Sequence, residues 1–200
     1  MAPATEGRRA AIGDAAIGLI AVRGMRGLTH RAVDIAAGLP TGSTSYYART
    51  RAALLELAIN RMAELDETGF RADPPLPNVR DPEVLVDGLV GYLHHSMTEG
   101  RSRQLARFEF ALEASRRPEL RDVYDRAGRG VRASAQTVLA AAGSVDAARH
   151  ARMLIAWCEG VVFDSVAGAG WRHTPSRDEL RAGVRELLAG MLGAAARDDY

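Results

Sequence analysis

The chain has 200 residues, of which 47% are hydrophobic and 26% charged, so it has enough apolar side chains for a folded core and is not a disordered protein. No apolar run reaches the roughly 18 residues that cross a bilayer, and the N-terminal segment lacks the apolar centre of a secretory signal. The single cysteine, Cys158, excludes an internal disulfide and a metal site built from cysteines alone. These features predict a cytoplasmic protein with no membrane association.

The basic residues are concentrated near the N-terminus, although the formal net charge of the whole chain is only +1. Seven arginines and two aspartates lie between Arg8 and Arg51, which gives this segment +5 and leaves −4 for the rest. Such a division is typical of a protein that meets a polyanion with one end. Basic segments are common, so the charge by itself is weak support for nucleic-acid binding.

The N-terminal region begins with two predicted helices. The first covers about residues 8–23 and ends at Gly24, because its apolar residues fall on one face at helical spacing. Thr29 can cap a second short helix by accepting a hydrogen bond from an amide of the first turn, and Gly38 can end it in the left-handed conformation. The residues of this helix expected to pack inward are Ala32, Val33, Ile35 and Ala36.

A third and a fourth helix follow. Pro40 is tolerated in a first helical turn, which needs no amide donor there, so a third short helix is predicted over about residues 40–48. Thr50 can cap a longer fourth helix. Its apolar residues recur at helical spacing and include Leu54, Ala58, Met62 and Leu65.

The rest of the chain also predicts helices. The segment "RADPPLPNVRDP" ends the fourth helix, with Asp81 and Pro82 placed to begin the next. Further helices are predicted at about residues 82–100, 102–115, 118–142, 146–168 and 176–195. Gly128 and Gly130 each cost about 1 kcal/mol inside a helix, so a kink or a split is expected there. Because strand patterns are nearly absent, the prediction is an all-α fold of about nine helices.

Two short helices joined by a Gly-Leu-Pro turn form a helix-turn-helix, in which the second helix enters the major groove of DNA. A helix that reads a groove has to be thin and polar on its outer face, and the stretch "TGSTSYY" (residues 41–47) meets this requirement. The alternative is an ordinary exposed helix of a bundle, in which Tyr46 or Tyr47 merely packs.

The run "GLTHRAVDIAAGLPTGSTSYYARTRAALL" resembles the DNA-binding domain of the tetracycline-repressor (TetR) family of bacterial regulators, and the resemblance covers roughly residues 8–60. It implies phosphate contacts from Thr29, Tyr47 and Arg51. The base or groove contacts that it implies come from Thr41, Gly42, Ser43, Ser45 and Tyr46. The chain departs from the family pattern at Pro40, where a serine cap is common, and at Ala48, where a larger aromatic is common.

The resemblance divides the chain into a DNA-binding domain, residues 1–52, and a domain for ligand binding and dimerisation, residues 53–200. It implies a homodimer whose interface is a four-helix bundle formed by the last two long helices of each subunit. The helix at about 146–168 is apolar nearly all round, which a single neighbouring layer cannot cover, and Gly160 would allow a close helix contact. The alternative is that both helices fill the core of a monomer.

The resemblance also implies an inducer pocket among the helices from residue 82 to residue 168. The candidate lining residues are Tyr92, Met97, Phe108, Phe110, Tyr124 and Trp157, and the candidate polar groups are His94, His95, Arg107, Glu109 and Cys158. Each aromatic side chain is also a candidate for ordinary core packing. Adjacent histidines point to different faces of a helix and make a poor metal pair. No metal or cofactor is predicted.

These observations together predict a ligand-responsive, sequence-specific regulator. We expect a homodimeric repressor of transcription that a small molecule releases from a palindromic DNA operator. One alternative is a helical small-molecule-binding protein that does not bind DNA. An enzyme is the other: no phosphate loop or nucleophile elbow is present, and His30 and Asp34 lie near several serines without an identifiable oxyanion donor.

Overall fold

The structure, a computed structural model, describes residues 3–70 and 79–193. Within these ranges it contains nine α-helices and no strand, which confirms the all-α prediction. The helices are α1 (Pro3–Gly27), α2 (His30–Ala36), α3 (Ser43–Tyr47), α4 (Arg51–Phe70), α5 (Pro82–Met97), α6 (Arg101–Ala114), α7 (Pro118–Ala141), α8 (Ala147–Val166) and α9 (Arg177–Leu192). None of the described helices is both long and apolar enough to cross a membrane.

Three helices differ from the prediction, two of them in their bounds and one in its continuity. α1 continues to Gly27, although Gly24 interrupts it with a φ of 62°. α3 begins at Ser43 rather than at residue 40, because Gly42 has a φ of 92°, which lies outside helical geometry. The predicted split of α7 was wrong, since one helix of 24 residues runs through both of its glycines, while a kink there stays a prediction. Packing of apolar residues along so long a helix offsets the glycine cost.

The first compact unit consists of Met1–Glu67 and Ser102–Gly128. Its buried core includes Ile12, Ile20, Leu28, Val33, Leu54, Ala58, Met62 and Phe110. The predicted stripe of α4 belongs to this core, with Leu65 partly buried at its edge. The predicted domain boundary between residues 52 and 53 falls inside this unit, so a functional division at that point stays a prediction.

The second compact unit consists of Thr68–Arg101 and Arg129–Tyr200. Here α5 packs against α8 and α9, and the buried stripe of α9 contains Leu180, Val184, Leu188 and Met191. Ion pairs join the start of α5 to the middle of α9, with Arg185 bound to Glu83 at 2.6 and 2.9 Å. Asp81 caps α5 and Pro82 stands in its first turn, as predicted.

Candidate nucleic-acid interface

Helix α2 and the turn after it form largely as the sequence predicts. The Thr29 hydroxyl accepts a hydrogen bond from the amide of Ala32 at 3.1 Å and caps the helix. After α2, Gly38 takes the left-handed conformation with a φ of 65°. The inward face of α2 differs from the prediction, because Ile35 is 72% exposed, Ala36 is exposed as well, and Asp34 is only 2% exposed. A carboxylate therefore occupies the position at which an apolar side chain was expected.

Helix α3 is a single five-residue turn that starts after a backbone reversal. Gly42 supplies the positive φ of 92° that this reversal requires, which side chains with a Cβ rarely adopt. The hydroxyl of Ser43 donates to the carbonyl oxygen of Pro40 at 2.6 Å, and the Ser43 amide donates to the same oxygen at 3.1 Å. These contacts close the turn immediately before the helix.

The buried carboxylate of Asp34 holds the N-terminal end of α3. One of its oxygens accepts from the Gly42 amide at 2.7 Å, and the other accepts from the Thr44 amide at 2.7 Å and the Thr44 hydroxyl at 2.6 Å. The Thr44 side chain is fully buried, so this cluster is shielded from water. Asp34 thus satisfies amides that a helix N-terminus leaves without an intrahelical partner.

The protonation state of Asp34 follows from the same contacts. Burial acts to raise the pKa of the carboxyl group, but the hydrogen bonds from Thr44 and Gly42, with a smaller contribution from the nearby His30, outweigh it. The net result is an Asp34 pKa below its ordinary value. Asp34 is therefore an ionised acceptor at neutral pH.

The C-terminal end of α3 is held by the same neighbouring helix. Nε2 of His30 donates to the carbonyl oxygen of Ala48 at 2.7 Å. Ala48 is 1% exposed and extended, with a φ of −141°, so α3 ends at a buried position and the chain continues from there to α4. The hydrogen bond from His30 supports this corner, where the small Ala48 side chain fills little space. His30 and Asp34 are both engaged with the backbone of the α3 region, rather than with a serine hydroxyl.

The outer face of α3 and its turn presents short polar groups and one aromatic ring. Thr41, Gly42 and Ser45 are exposed, and the ring of Tyr46 is 80% exposed. Tyr47 lies partly buried against the core, with its ring centroid 5.1 Å from that of Tyr46 and nearly perpendicular to it. The predicted base-contacting residues therefore share one surface, on which Ser43 is half-buried.

Arg51 has contacts that the sequence did not indicate. One terminal nitrogen of its guanidinium donates to the carbonyl oxygen of Leu28, and the other donates to that of Met25. Met25 lies in the last turn of α1 and Leu28 in the connection to α2, so Arg51 ties the end of α1 to the start of α4. Arg49, two residues before Arg51, is exposed.

Among the predicted ligand residues of the first unit, Phe110 is fully buried in the core and stacks on Tyr124, with the ring centroids 6.3 Å apart. The guanidinium of Arg107 lies over the Phe108 ring at 4.9 Å. Glu109 lines a cleft of about 450 Å³ next to the break in α1. The other residues of this cleft are Arg23, Gly24, Met25, Arg26, Leu112, Glu113 and Arg116.

The predicted ligand residues of the second unit lie on α5 and α8. Met97 is 3% exposed, whereas Tyr92 and His94 are half-buried. Nδ1 of His95 lies 3.0 Å from the carboxylate of Glu99. Trp157 packs over Gly183 of α9 so closely that an added methyl group would come within 3.1 Å of its ring.

Cys158 is buried in the core of the second unit. Burial raises the pKa of its thiol to about 12, with a smaller contribution from Glu159. A protonated thiol is a poor nucleophile and a poor metal ligand, so Cys158 acts as an apolar packing group. Among the described residues, no group of three or more His, Cys, Asp or Glu side chains is arranged to hold a metal ion.

Comparison with known proteins agrees with this arrangement. Residues 80–194 match the family described as tetracyclin repressor-like, C-terminal domain. The chain belongs to the TetR family of transcriptional regulators. The resemblance seen in the N-terminal sequence is thus confirmed by a match in a different part of the chain.

Solved structures of the TetR family share this fold. A member from Streptomyces coelicolor A3 is 30% identical with a TM-score of 0.69, over 90% of this chain and 97% of that one. The multidrug binding protein EbrR, complexed with proflavin, is 30% identical with a TM-score of 0.59, over 90% and 99%. A protein from Rhodococcus sp., described as a TetR-family regulator, is 22% identical with a TM-score of 0.75, over 92% and 98%, and supports the fold. Among the curated proteins, a sequence search finds no match.

The sequence alone did not indicate that three residues hold the two ends of α3. They are Asp34, Thr44 and His30. The signal was an acidic residue within the otherwise apolar stretch "AVDIAAGL", four positions after a histidine and therefore on the same face of a helix. An acid on an inward face needs hydrogen-bond donors, and the nearest supply is the start of the next helix.

Proposed function

We propose that this TetR-family regulator binds DNA as a homodimer and reads its operator with α3. The observation that carries the proposal is a short helix held at both ends from within, whose outer surface displays Thr41, Ser45 and Tyr46. Side chains of this kind donate and accept hydrogen bonds at base edges without the bulk or negative charge that keeps a helix out of the major groove. The concentration of arginines in the same region supports the approach to DNA.

The predicted contacts fall into two groups. Thr41, Ser45 and Tyr46 are proposed to contact bases, while Thr29 and Tyr47 contact phosphates at the edge of the groove. Gly42 and Ser43 shape the turn that brings these side chains to the DNA. Arg51 is a further proposed phosphate contact, and its hydrogen bonds to Met25 and Leu28 also support binding by holding the end of α1.

A second copy of this chain is the proposed partner of α8 and α9. On α8 the exposed residues Met153, Ala156, Gly160 and Phe163 form one stripe at helical spacing. Phe163 is 48% exposed and Met153 is 47% exposed, and the two residues of the stripe between them, Ala156 and Gly160, are small. The exposed face of α9 also includes small residues, Ala182, Ala189 and Gly190. Faces of this type suit close packing in a symmetric helical interface.

Regulation by a small molecule completes the proposal. A ligand that binds the releasing conformation more tightly than the DNA-bound one shifts the equilibrium by its differential affinity. Because the related EbrR has been solved with proflavin and with ethidium, these two compounds are the first probes. Both bind duplex DNA themselves, so fluorescence titrations are made with the protein in the absence of DNA.

The test is selection of bound duplexes from a random DNA pool by the purified protein, with its mass in solution measured alongside. We expect an inverted repeat and the mass of a dimer. Enrichment of no sequence at low salt, where phosphate contacts are strongest, would contradict operator reading. Saturable binding of a probe by a protein that enriches no duplex would favour the alternative of a ligand-binding protein without DNA binding.

A further inference from the structure

Helix α3 is too short to define its own geometry. It has five residues, whereas isolated helices of fewer than about 12–15 residues are marginal in water. Its direction must therefore come from contacts with its neighbours. The contacts at its two ends come from one face of α2, since His30 and Asp34 are four residues apart and lie on the same side of that helix.

The contacts of Asp34 reach the turn that displays the predicted base-contacting groups. Its carboxylate binds the amide of Gly42, which lies in the exposed turn between Thr41 and Ser43. It also binds Thr44, the fully buried residue that points inward between Ser43 and Ser45. Any change at Asp34 is therefore transmitted to backbone positions immediately next to exposed groups.

We propose that Asp34 is the positioning residue that sets the angle of α3 in the major groove, and so the operator preference, without touching DNA. The proposal rests on the proposed function, because it assigns a preference to a helix that reads DNA. Asp34 acts through the Gly42 amide and the two donors of Thr44. His30 fixes the opposite end of α3, so the helix is held at two points rather than one.

The chemistry of the three donors explains why a carboxylate is needed. The two oxygens of Asp34 accept from Gly42 and Thr44. Asn can keep one oxygen towards Thr44, but its NH₂ group would then face the Gly42 amide, which is also a donor. Two donors that face each other repel, and the Gly42 amide loses its acceptor, so the turn would move to relieve this contact.

Because Asp34 is charged, the direction of the change in DNA affinity distinguishes an electrostatic effect from a loss of positioning. Removal of a negative charge from the basic region should, by electrostatics alone, strengthen binding to every DNA sequence. Loss of positioning should weaken binding to the operator and leave binding to other sequences intact. The matched control is Asp14→Asn, which removes an exposed carboxylate of the same region that pairs with Arg61 on α4.

The experiment measures the affinity of the full-length protein for the selected duplex and for a scrambled duplex of equal length, by fluorescence anisotropy. We expect Asp34→Asn to lower the ratio of the two affinities by about tenfold, the equivalent of one well-made buried hydrogen bond. Thr44→Val, which removes a hydroxyl and keeps the shape, should lower the ratio by about three- to tenfold. Thr44→Ser and Asp14→Asn should keep the wild-type ratio.

Unfolding curves by circular dichroism separate positioning from collapse of the fold. If Asp34→Asn does not fold, Thr44→Val carries the test, with Thr44→Ser as the variant that restores the hydroxyl. Folded Asp34→Asn and Thr44→Val proteins with the wild-type ratio would overturn this inference while leaving the proposed function in place. A wild-type protein with equal affinity for both duplexes would contradict the proposed function and this inference with it.

Discussion

The region of α2 and α3 and the region of α5, α8 and α9 are stabilised by different kinds of contact. In the first, buried polar contacts from Asp34 and His30 fix the ends of a short helix. In the second, apolar stripes along long helices pack together, and the ion pairs lie at the surface. Apolar burial is non-directional, whereas hydrogen bonds depend steeply on direction. The polar region therefore suits a surface that has to present side chains in one fixed orientation.

The largest expected change in stability is for Phe110→Ala, which tests whether Phe110 is a core residue or a ligand contact. Phe110→Ala should lower the free energy of unfolding by about 3–5 kcal/mol, because it removes a fully buried ring that stacks on Tyr124. Urea unfolding measures it, with the exposed Leu112→Ala on the same helix as control. A loss of unfolding free energy below about 1 kcal/mol, accompanied by altered probe binding, would indicate that Phe110 contacts a ligand and is not a core residue.

The next effect separates the two arginines at the start of α4. Arg51→Ala should lower the free energy of unfolding by about 1–3 kcal/mol, because it removes charge-assisted hydrogen bonds to Met25 and Leu28. Arg49→Ala should leave stability nearly unchanged, since Arg49 is exposed. Thermal unfolding and the salt dependence of DNA binding are measured for both. Equal stability of the two variants would show that the Arg51 contacts contribute little.

Smaller changes in stability, of opposite sign, are expected when two glycines are replaced by alanine. Gly42→Ala should cost about 1–2 kcal/mol, because its φ of 92° is strained for a residue with a Cβ. Gly130→Ala, in an open position on α7, should stabilise the protein by up to about 1 kcal/mol through helix propensity. Chemical unfolding of both variants is the measurement. A stabilised Gly42→Ala protein would mean that the turn before α3 does not need the left-handed conformation.

The smallest effect is expected for the surface ion pair of the second region. Glu83→Gln should change stability less than the substitutions of Phe110, Arg51 and Gly42, because Glu83 and Arg185 are well exposed and water screens their attraction. Arg185 lowers the pKa of Glu83 through its hydrogen bonds, so any contribution is present at neutral pH and is lost as the pH falls through the titration of Glu83. Unfolding at pH 7 and pH 3, at low and high salt, measures it. A large loss that salt does not reduce would contradict a screened surface pair.

The sequence predicted the helices well because their signals are local. The apolar spacing of α4, the Thr29 cap and the left-handed Gly38 depend on a few neighbouring residues, and all three were confirmed. The contacts of Asp34 and Arg51 were not predictable in the same way. They join residues 8 to 26 positions apart, and their partners are mostly backbone groups, which leave no mark in the sequence.

The inward face of α2 was mispredicted for the same reason, because the contacts that decide it come from another helix. Periodicity assigned Ile35 to the interior, because an isoleucine is ordinarily buried more often than an aspartate. The structure buries Asp34 and exposes Ile35, since the donors at the start of α3 stabilise a buried carboxylate. A rule based on hydropathy misassigns such a residue until the neighbouring helix end is considered with it.

The most direct test of operator reading by α3 is to repeat the random-duplex selection with Ser45→Ala and to compare the enriched sequences with those of the wild-type protein. Ser45 is exposed on α3, and its truncation leaves the Asp34 and His30 contacts in place. We expect a relaxed or altered base preference at two positions related by the twofold symmetry of the site, with the rest unchanged. An identical enriched sequence for both proteins would contradict it.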